Sequence, residues 1–167
     1  MKLLISAFLI LLGLFSCNYK QTTKIEREGE PTIYSFTDSD TEMNEAIKTA
    51  NQTLEKFNDA LKSSNPDFSY FALKTRFETP NGGEHIWVRN ITFENNQYFG
   101  VVDNLPQTST DVKIGDTIQI VKNNISDWMY IDNQKLQGGF TVRLIRKRMT
   151  ERERKQFDTE NGLIIED

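Results

Sequence analysis

Cysteine and histidine are almost absent from this chain of 167 residues, which has one residue of each type. A single cysteine excludes an intrachain disulfide framework, and a single histidine excludes a metal site built from several histidines. Positive charge is not in excess either, because 20 Lys and Arg stand against 24 Asp and Glu. That balance argues against a wholly basic nucleic-acid binder, and the length predicts one domain.

Several patterns typical of enzymes are also missing. The sequence has no Gly-x-Ser-x-Gly nucleophile elbow and no Walker or dinucleotide-binding glycine spacing. Strand, helix and strand patterns do not alternate, which makes a doubly wound parallel sheet unsuitable. We therefore expect no cofactor, no metal and no nucleic acid.

The main apolar run lies at the N-terminus, from Leu3 to Phe15, behind one basic residue, Lys2. As a helix it would span about 20 Å, which is short against a hydrocarbon core of about 30 Å. One positive charge followed by an apolar run is typical of a secretory signal. We expect a signal peptide over residues 1–16.

The end of this run, Leu14-Phe15-Ser16-Cys17, resembles the lipobox of bacterial lipoproteins. The resemblance implies cleavage before Cys17, diacylglycerol on its sulfur and an acylated amino terminus, with palmitate as the expected kind of chain. More than one acyl chain gives stable anchoring to a bilayer. The protein would then be anchored in the cell envelope, facing the periplasm or the exterior. An ordinary signal peptide and an uncleaved anchor remain the alternatives.

Residues 17–38 are polar and irregular, and we expect a flexible tether between the lipid and the domain. Ile33, Tyr34 and Phe36 are able to form a short extended piece within it. The folded domain is expected over 39–162, with a tail over 163–167.

A helix is predicted from about 40 to 63. Ser39 and Glu42 match a capping box at its start, and a Ser-Ser-Asn-Pro sequence stops it. Its apolar residues recur at three- and four-residue spacing and form one stripe: Met43, Ala46, Ile47, Ala50, Leu54, Phe57 and Leu61.

The partner of this stripe is predicted to be a sheet, because alternating and β-branched segments follow the helix. The expected strands cover residues 68–78, 84–93, 98–102, 117–121 and 128–131. Residues 140–149 fit both periods, and we favour a helix there, followed by a short helix with a Thr150–Glu153 capping box. The fold class is α+β: one long N-terminal helix on a curled antiparallel sheet of about five strands, with short C-terminal helices.

Four segments resemble YegJ-like proteins, a bacterial family whose domain has no known function. They begin at Met43, Glu84, Ser126 and Gly138, and the Asp-Trp-Met-Tyr string from Asp127 is the most specific. The resemblance covers about 42–160. It implies a compact α+β domain and supplies no catalytic residues.

Three side chains of one strand, His85, Trp87 and Arg89, are expected on one face. His85 is then either a general base beside a stacking surface or a histidine hydrogen-bonded within the sheet. We favour the second interpretation. A triad of His85 with Ser126 and Asp127 is disfavoured because the latter two are neighbours in sequence.

Trp128 and Tyr130 are two residues apart, and we expect them to share a face of the strand. Two interpretations are open: the rings line a ligand groove beside Asp127, or they belong to the core. We expect the core for at least one of them. Gly138-Gly139 with Arg143 is able to cradle an anion, although a turn that needs positive φ explains the glycines as well.

Basic residues concentrate between 143 and 155, where the sequence has seven Lys and Arg and two Glu. Such asymmetry marks a surface for lipid headgroups or an acidic envelope partner, or a solvated helix neutralised by the domain's own acids. The leading interpretation is a membrane-anchored, non-enzymatic binding or accessory module of the envelope. The alternatives are an envelope hydrolase that uses His85 or Asp127 and an immunity-type protein that binds a toxin.

Overall fold

The computed structural model describes residues 22–27, 30–36, 39–80 and 82–166. The chain divides into two units, Met1–Thr37 and Asp38–Asp167. In the first unit, β1 (Thr22–Arg27) and β2 (Glu30–Phe36) pair antiparallel. The predicted extended residues Ile33, Tyr34 and Phe36 lie in β2. The predicted signal peptide and Cys17 lie outside the described residues.

The second unit contains four helices and six strands within its described residues. The elements are α1 (Thr41–Gln52), α2 (Leu54–Lys62), β3 (Phe68–Thr79), β4 (Gly82–Glu94), β5 (Gln97–Val102), β6 (Thr117–Ile120), β7 (Ile125–Asp132), β8 (Lys135–Gly138), α3 (Phe140–Arg148) and α4 (Glu151–Asn161). No helix among these is long and apolar enough to span a membrane.

The six strands form one antiparallel sheet in the order β6-β5-β4-β3-β7-β8. The expected α+β class is confirmed, and the sheet has one strand more than the five predicted. The additional strand is β8, which pairs with β7 across a turn at Asn133 and Gln134. Both turn residues have positive φ, which asparagine tolerates in two-residue hairpins.

The prediction of one long helix over 40–63 is wrong, because the helix ends at Gln52 and a second begins at Leu54. Thr53 lies between them with φ -109° and ψ 8°. Its amide donates to the carbonyls of Thr49 and Ala50 at 3.1 and 3.2 Å. The three- and four-residue spacing of the stripe continues across this break, so the sequence alone predicts one continuous helix.

The cap of α1 also differs from the prediction. Asp40 is the N-cap, and its carboxylate accepts from the Met43 amide at 3.1 Å. Glu42 pairs with Arg148 at 2.8 Å. A side-chain acceptor at the N-cap satisfies one of the free amides of the first turn, and here the aspartate one residue after Ser39 takes that position.

The predicted stripe packs against one face of the sheet. Leu54 and Phe57 are 4% and 0% exposed, and both belong to one buried cluster with residues of β3, β4 and β7. Leu73 pairs with Val88 and with Trp128, so these three side chains share that face. Burial of this apolar surface is the main stabilising contribution to the domain.

The predictions for the two C-terminal helices are confirmed. Residues 140–148 are helical, and Thr150 and Glu153 form a capping box at the start of α4. Gly162 ends α4 in the left-handed conformation at φ 61°. These signals involve residues close in sequence, which is why local patterns identify them.

Candidate functional site

A row of three side chains crosses the centre of the sheet on the face opposite Leu73. Lys74 pairs with Trp87 on β4 and with Asp127 on β7, so the three residues share a face. We call them the Lys74 row. Lys74 is 8% exposed, and its ammonium lies 5.4 Å from the centroid of the Trp87 ring. This distance is within the range of a cation–π interaction.

Asp127, which is fully buried, caps helix α3. Its Oδ1 accepts from the amides of Trp128 and Phe140 at 2.8 and 3.1 Å. Its Oδ2 accepts from the Thr141 amide at 2.8 Å and from the Thr141 hydroxyl at 2.6 Å. The start of a helix attracts negative charge, and the internal carboxylate of Asp127 supplies that charge here.

Burial shifts both ionisable groups of the Lys74 row toward their neutral forms. It raises the pKa of the Asp127 carboxyl, against the opposing effects of Thr141 and Lys74. It lowers the pKa of the Lys74 ammonium, and the Asp127 carboxylate opposes that shift. The Lys74 ammonium also donates to the Thr141 hydroxyl at 3.3 Å. Thr141 therefore joins the lysine to the carboxylate.

His85 lies beside Ser126, with 2.8 Å between Nδ1 and Oγ. The Ser126 hydroxyl donates to the Lys74 carbonyl at 3.2 Å. The donor in the bond between His85 and Ser126 is set by the tautomer of the imidazole ring.

A β-bulge brings His85 and Ser126 together. Lys74 pairs with Asp127 and Thr75 pairs with Ile125, so Ser126 is an additional residue in β7. An extra residue redirects a side chain relative to regular alternation. Regular alternation along β7 does not predict this contact. The carboxylate of Asp127 is bonded to 128, 140 and 141, so the described contacts do not assemble a triad.

The aromatic pair on β7 lies mainly in the core. Trp128 is 3% exposed, and its ring stacks on Tyr130 at 6.2 Å and lies 6.0 Å from Phe57. Tyr130 is half-buried and stacks on Phe71 at 5.3 Å. The expectation that at least one of the two aromatics is core is confirmed for Trp128.

Gly138 and Gly139 both have positive φ, at 69° and 63°. They form the turn into α3, as the simpler of the two interpretations predicts. Arg143 donates to the carbonyls of Gly138 and Leu136 at 2.7 and 2.5 Å. It also donates to the Glu166 carbonyl. These bonds connect α3 to β8 and to the C-terminal segment, which is a structural role.

Part of the basic segment is neutralised by acids of the same domain. Arg146 pairs with Asp158 at 2.8 Å. Arg148 pairs with Asp40 at 2.5 Å and with Glu42 at 2.8 Å. Asp40 is fully buried, so this pair contributes to the fold.

An exposed cluster that the sequence analysis missed lies next to Trp87. Arg89 Nε is 2.7 Å from Asp103 Oδ1, and the Tyr70 hydroxyl donates to Asp103 Oδ2 at 2.5 Å. Tyr70 and Asn90 have φ of 49° and 54° at irregularities of β3 and β4. Positive φ is unusual for a bulky residue, and such conformations concentrate at functional sites. No local signal in the sequence joins these residues.

Within the described part of the chain, no group of three or more His, Cys, Asp or Glu side chains is placed to hold a metal ion. Glu84, the neighbour of His85, instead accepts from the amides of Gln107, Thr108 and Ser109. Partial burial opposes ionisation of Glu84, but these bonds together hold its pKa below the usual value. Glu84 thus orders the loop between β5 and β6.

The fold and the site define a small α+β domain with a buried, internally satisfied charged row. The chain belongs to the bacterial family described as "Uncharacterized protein conserved in bacteria (DUF2314)", which matches residues 40–165. The resemblance to YegJ-like proteins is therefore confirmed.

Two curated relatives are similar to this chain. It is 35% identical to the uncharacterized protein YegJ of Escherichia coli over 100 residues, which cover 60% of this chain and 64% of that protein. It is 31% identical to a putative ankyrin repeat protein of Neisseria meningitidis serogroup B over 147 residues, 83% of this chain and 58% of that protein. The chain thus spans less than two thirds of each relative. No solved structure matches it.

Proposed function

We propose that this protein is a lipid-anchored binding or accessory module of the bacterial cell envelope. The support for the anchor is the sequence Leu14-Phe15-Ser16-Cys17, which places the one cysteine of the chain after an apolar run. Two or more acyl chains hold a protein stably on a bilayer. The segment 17–38, which contains the paired strands β1 and β2, then lies between the lipid and the domain along the chain.

The single observation that carries a binding role is the exposed cluster of Tyr70, Arg89 and Asp103 beside Trp87. Asp103 holds both Tyr70 and Arg89 by hydrogen bonds, so their side chains are ordered before a partner arrives. Ordering in advance reduces the entropy cost of association. Trp, Tyr and Arg are also the residue types that contribute most at protein interfaces.

An envelope hydrolase is the second candidate, because His85 and Ser126 are in hydrogen-bond contact. Two observations favour binding over catalysis. Ser126 is 3% exposed and donates its proton to a backbone carbonyl. Asp127 uses both oxygens to cap α3.

The anchor is tested by growth with an alkyne fatty acid, followed by fractionation of cells that express the full chain. Wild type is expected to take up the label and to stay in the membrane fraction, whereas Cys17→Ser loses both. Ser16→Ala, which keeps a small residue before the cysteine, is the matched control. Labelling of Cys17→Ser at the wild-type level would contradict the anchor.

The binding role is tested by a photo-crosslinking residue at Arg89, with Thr159 on the exposed side of α4 as the control position. Discrete adducts are expected from position 89 and not from position 159. The hydrolase alternative is tested with a fluorophosphonate probe. Labelling that disappears in Ser126→Ala would favour catalysis over our proposal.

A further inference from the structure

The two edge strands of the six-stranded sheet differ in their backbone hydrogen-bond partners. Beside β8, the Ile164 amide donates to the Gln134 carbonyl at 2.8 Å, and the Leu136 amide donates to the Ile164 carbonyl at 3.0 Å. The C-terminal segment therefore closes that edge. At the other edge, β6 has β5 as its single neighbour within the described sheet.

Strand β6 directs alternate backbone groups away from the sheet. Ile118 pairs with Gly100 and Ile120 with Tyr98, and the Val102 amide donates to the Asp116 carbonyl at 2.9 Å. Hydrogen-bonded positions of an antiparallel pair alternate along the strand. Ile118 and Ile120 therefore bond to β5, and the amides and carbonyls of Thr117 and Gln119 face outward.

The outer side of β6 has no charge that would prevent pairing. Residues 117–121 are Thr, Ile, Gln, Ile and Val, and Gln119 is exposed. Val121 and Ile114, at the two ends of the strand, are each 57% exposed. Sheet edges are usually protected by lysine, proline, an internal charge or a short strand. Residues 117–121 contain no lysine, proline or charge, and the four-residue length of β6 is its one protection of this kind.

We propose that β6 pairs antiparallel with β6 of a second copy of this chain, about a two-fold axis at Gln119. The charges at the ends of the strand select this occupant and this register. In an antiparallel pair centred on 119, Asp116, which precedes the strand, is brought opposite Lys122 of the second copy, which follows the strand as the first residue of a 3-10 helix (Lys122–Asn124). The same approach repeats across the axis. Thr117 lies opposite Val121, and no like charges meet.

Self-pairing also fits the hydrogen-bond pattern. The outward amide and carbonyl of Gln119 exchange two bonds with Gln119 of the second copy, as at a hydrogen-bonded position of a regular sheet. A two-fold interface uses the same patch on both subunits. A short edge contact buries less surface than a permanent dimer needs, so the pair is transient and its test must trap it.

Cysteine crosslinking of the full chain gives that test. Paired Cα atoms at a hydrogen-bonded position lie about 5.5 Å apart, within the range of a disulfide. Under mild oxidation, Gln119→Cys is expected to form dimers many-fold faster than Thr159→Cys on α4. Wild type, with Cys17 alone, sets the background. Crosslinking of Gln119→Cys at the rate of Thr159→Cys would overturn the proposal.

The register is tested by two further variants. Two Thr117 residues lie about 14 Å apart in this pairing, from a rise of ~3.4 Å per residue, which is too far for a disulfide. Thr117→Cys is therefore expected to crosslink when mixed with Val121→Cys, and not with itself. Equal rates for Thr117→Cys alone and for the mixture would exclude this register.

A charge at the axis gives an independent measurement. Gln119→Lys sets two lysines directly opposite each other, which destabilises a strand pair, and Gln119→Ser is the matched uncharged change. Each change is added to both members of the mixture of Thr117→Cys and Val121→Cys. Gln119→Lys is expected to lower the crosslinking rate several-fold, and Gln119→Ser is expected to leave it unchanged. An unchanged rate with lysine would overturn pairing through β6.

Discussion

The indole nitrogen of Trp128 donates to the carbonyl of Ala50 at 2.9 Å and to the hydroxyl of Thr53 at 3.2 Å. A regular helix would use the Ala50 carbonyl for the amide four residues later. Here the carbonyl accepts from the Trp128 indole and, at 3.2 Å, from the amide of Thr53 three residues later, and the helix is interrupted at Thr53. Insertion of a side chain into the helical ladder is a recognised cause of such a break.

Trp128 is expected to be the most sensitive position of the core. Trp128→Ala should lower the free energy of unfolding by about 3–5 kcal/mol. Trp128→Phe keeps most of the ring and removes the donor to Ala50, so it should cost about 1–3 kcal/mol. Urea denaturation measures both. In a Trp87→Phe background, strong iodide quenching of the folded protein would show that Trp128 is not core.

Gly138 is expected to tolerate no side chain. It has φ +69°, and a Cβ there would lie 2.3 Å from the Trp128 carbonyl oxygen. Gly162 has φ +61° with nothing within 4 Å, so Gly162→Ala measures the backbone strain alone, about 1–2 kcal/mol. Gly138→Ala should cost clearly more in thermal denaturation. Equal losses would mean that the turn into α3 can shift away from β7.

The Asp40–Arg148 pair predicts a pH-dependent contribution to stability. The hydrogen bond from Arg148 is the main cause that lowers the pKa of Asp40 below 3.8. A lowered pKa in the folded state stabilises above the unfolded value and is lost as pH falls through the folded value. Asp40→Asn keeps a capping residue and should cost about 1.5–3 kcal/mol at pH 7.

That difference between wild type and Asp40→Asn should shrink as pH falls below about 4, near the ordinary aspartate pKa. Glu45→Gln is a suitable control, because Glu45 is exposed and forms a surface pair with Lys48. Its stability difference from wild type is expected to be small at each pH. A difference at Asp40 that stays constant down to pH 3 would contradict the ion-pair explanation.

The two charges of the Lys74 row are expected to contribute unequally. Asp127→Asn presents amide hydrogens to the donors at the start of α3, and should cost about 1.5–3 kcal/mol. Lys74→Met should cost less, because Asp127 already accepts four hydrogen bonds from residues other than Lys74. Removing one partner of a buried ion pair is costly when it leaves the other charge uncompensated, and here the Asp127 carboxylate keeps all four of these hydrogen bonds. Chemical denaturation that ranks Lys74→Met as the worse variant would contradict this assignment.

Local patterns in the sequence were enough for much of the fold. The stripe that includes Leu54 and Phe57 packs in the core, and Thr150 with Glu153 forms the predicted capping box. The turn at Asn95 and Asn96 has the positive φ that its hairpin requires. These features depend on residues within a few positions of each other, so periodicity and turn chemistry specify them.

The tertiary structure decided what distant residues do to one another. The bond from Trp128 to Ala50 joins positions 78 residues apart and lies at the break in the predicted helix. The contact between His85 and Ser126 spans 41 residues and needs a bulge in β7. The role of Asp127 as the cap of α3 likewise exists only after β7 and α3 pack together. A linear sequence does not specify the register between strands or the direction of a bulged side chain. Burial and the satisfaction of hydrogen bonds determine both, and they do so only in the folded chain.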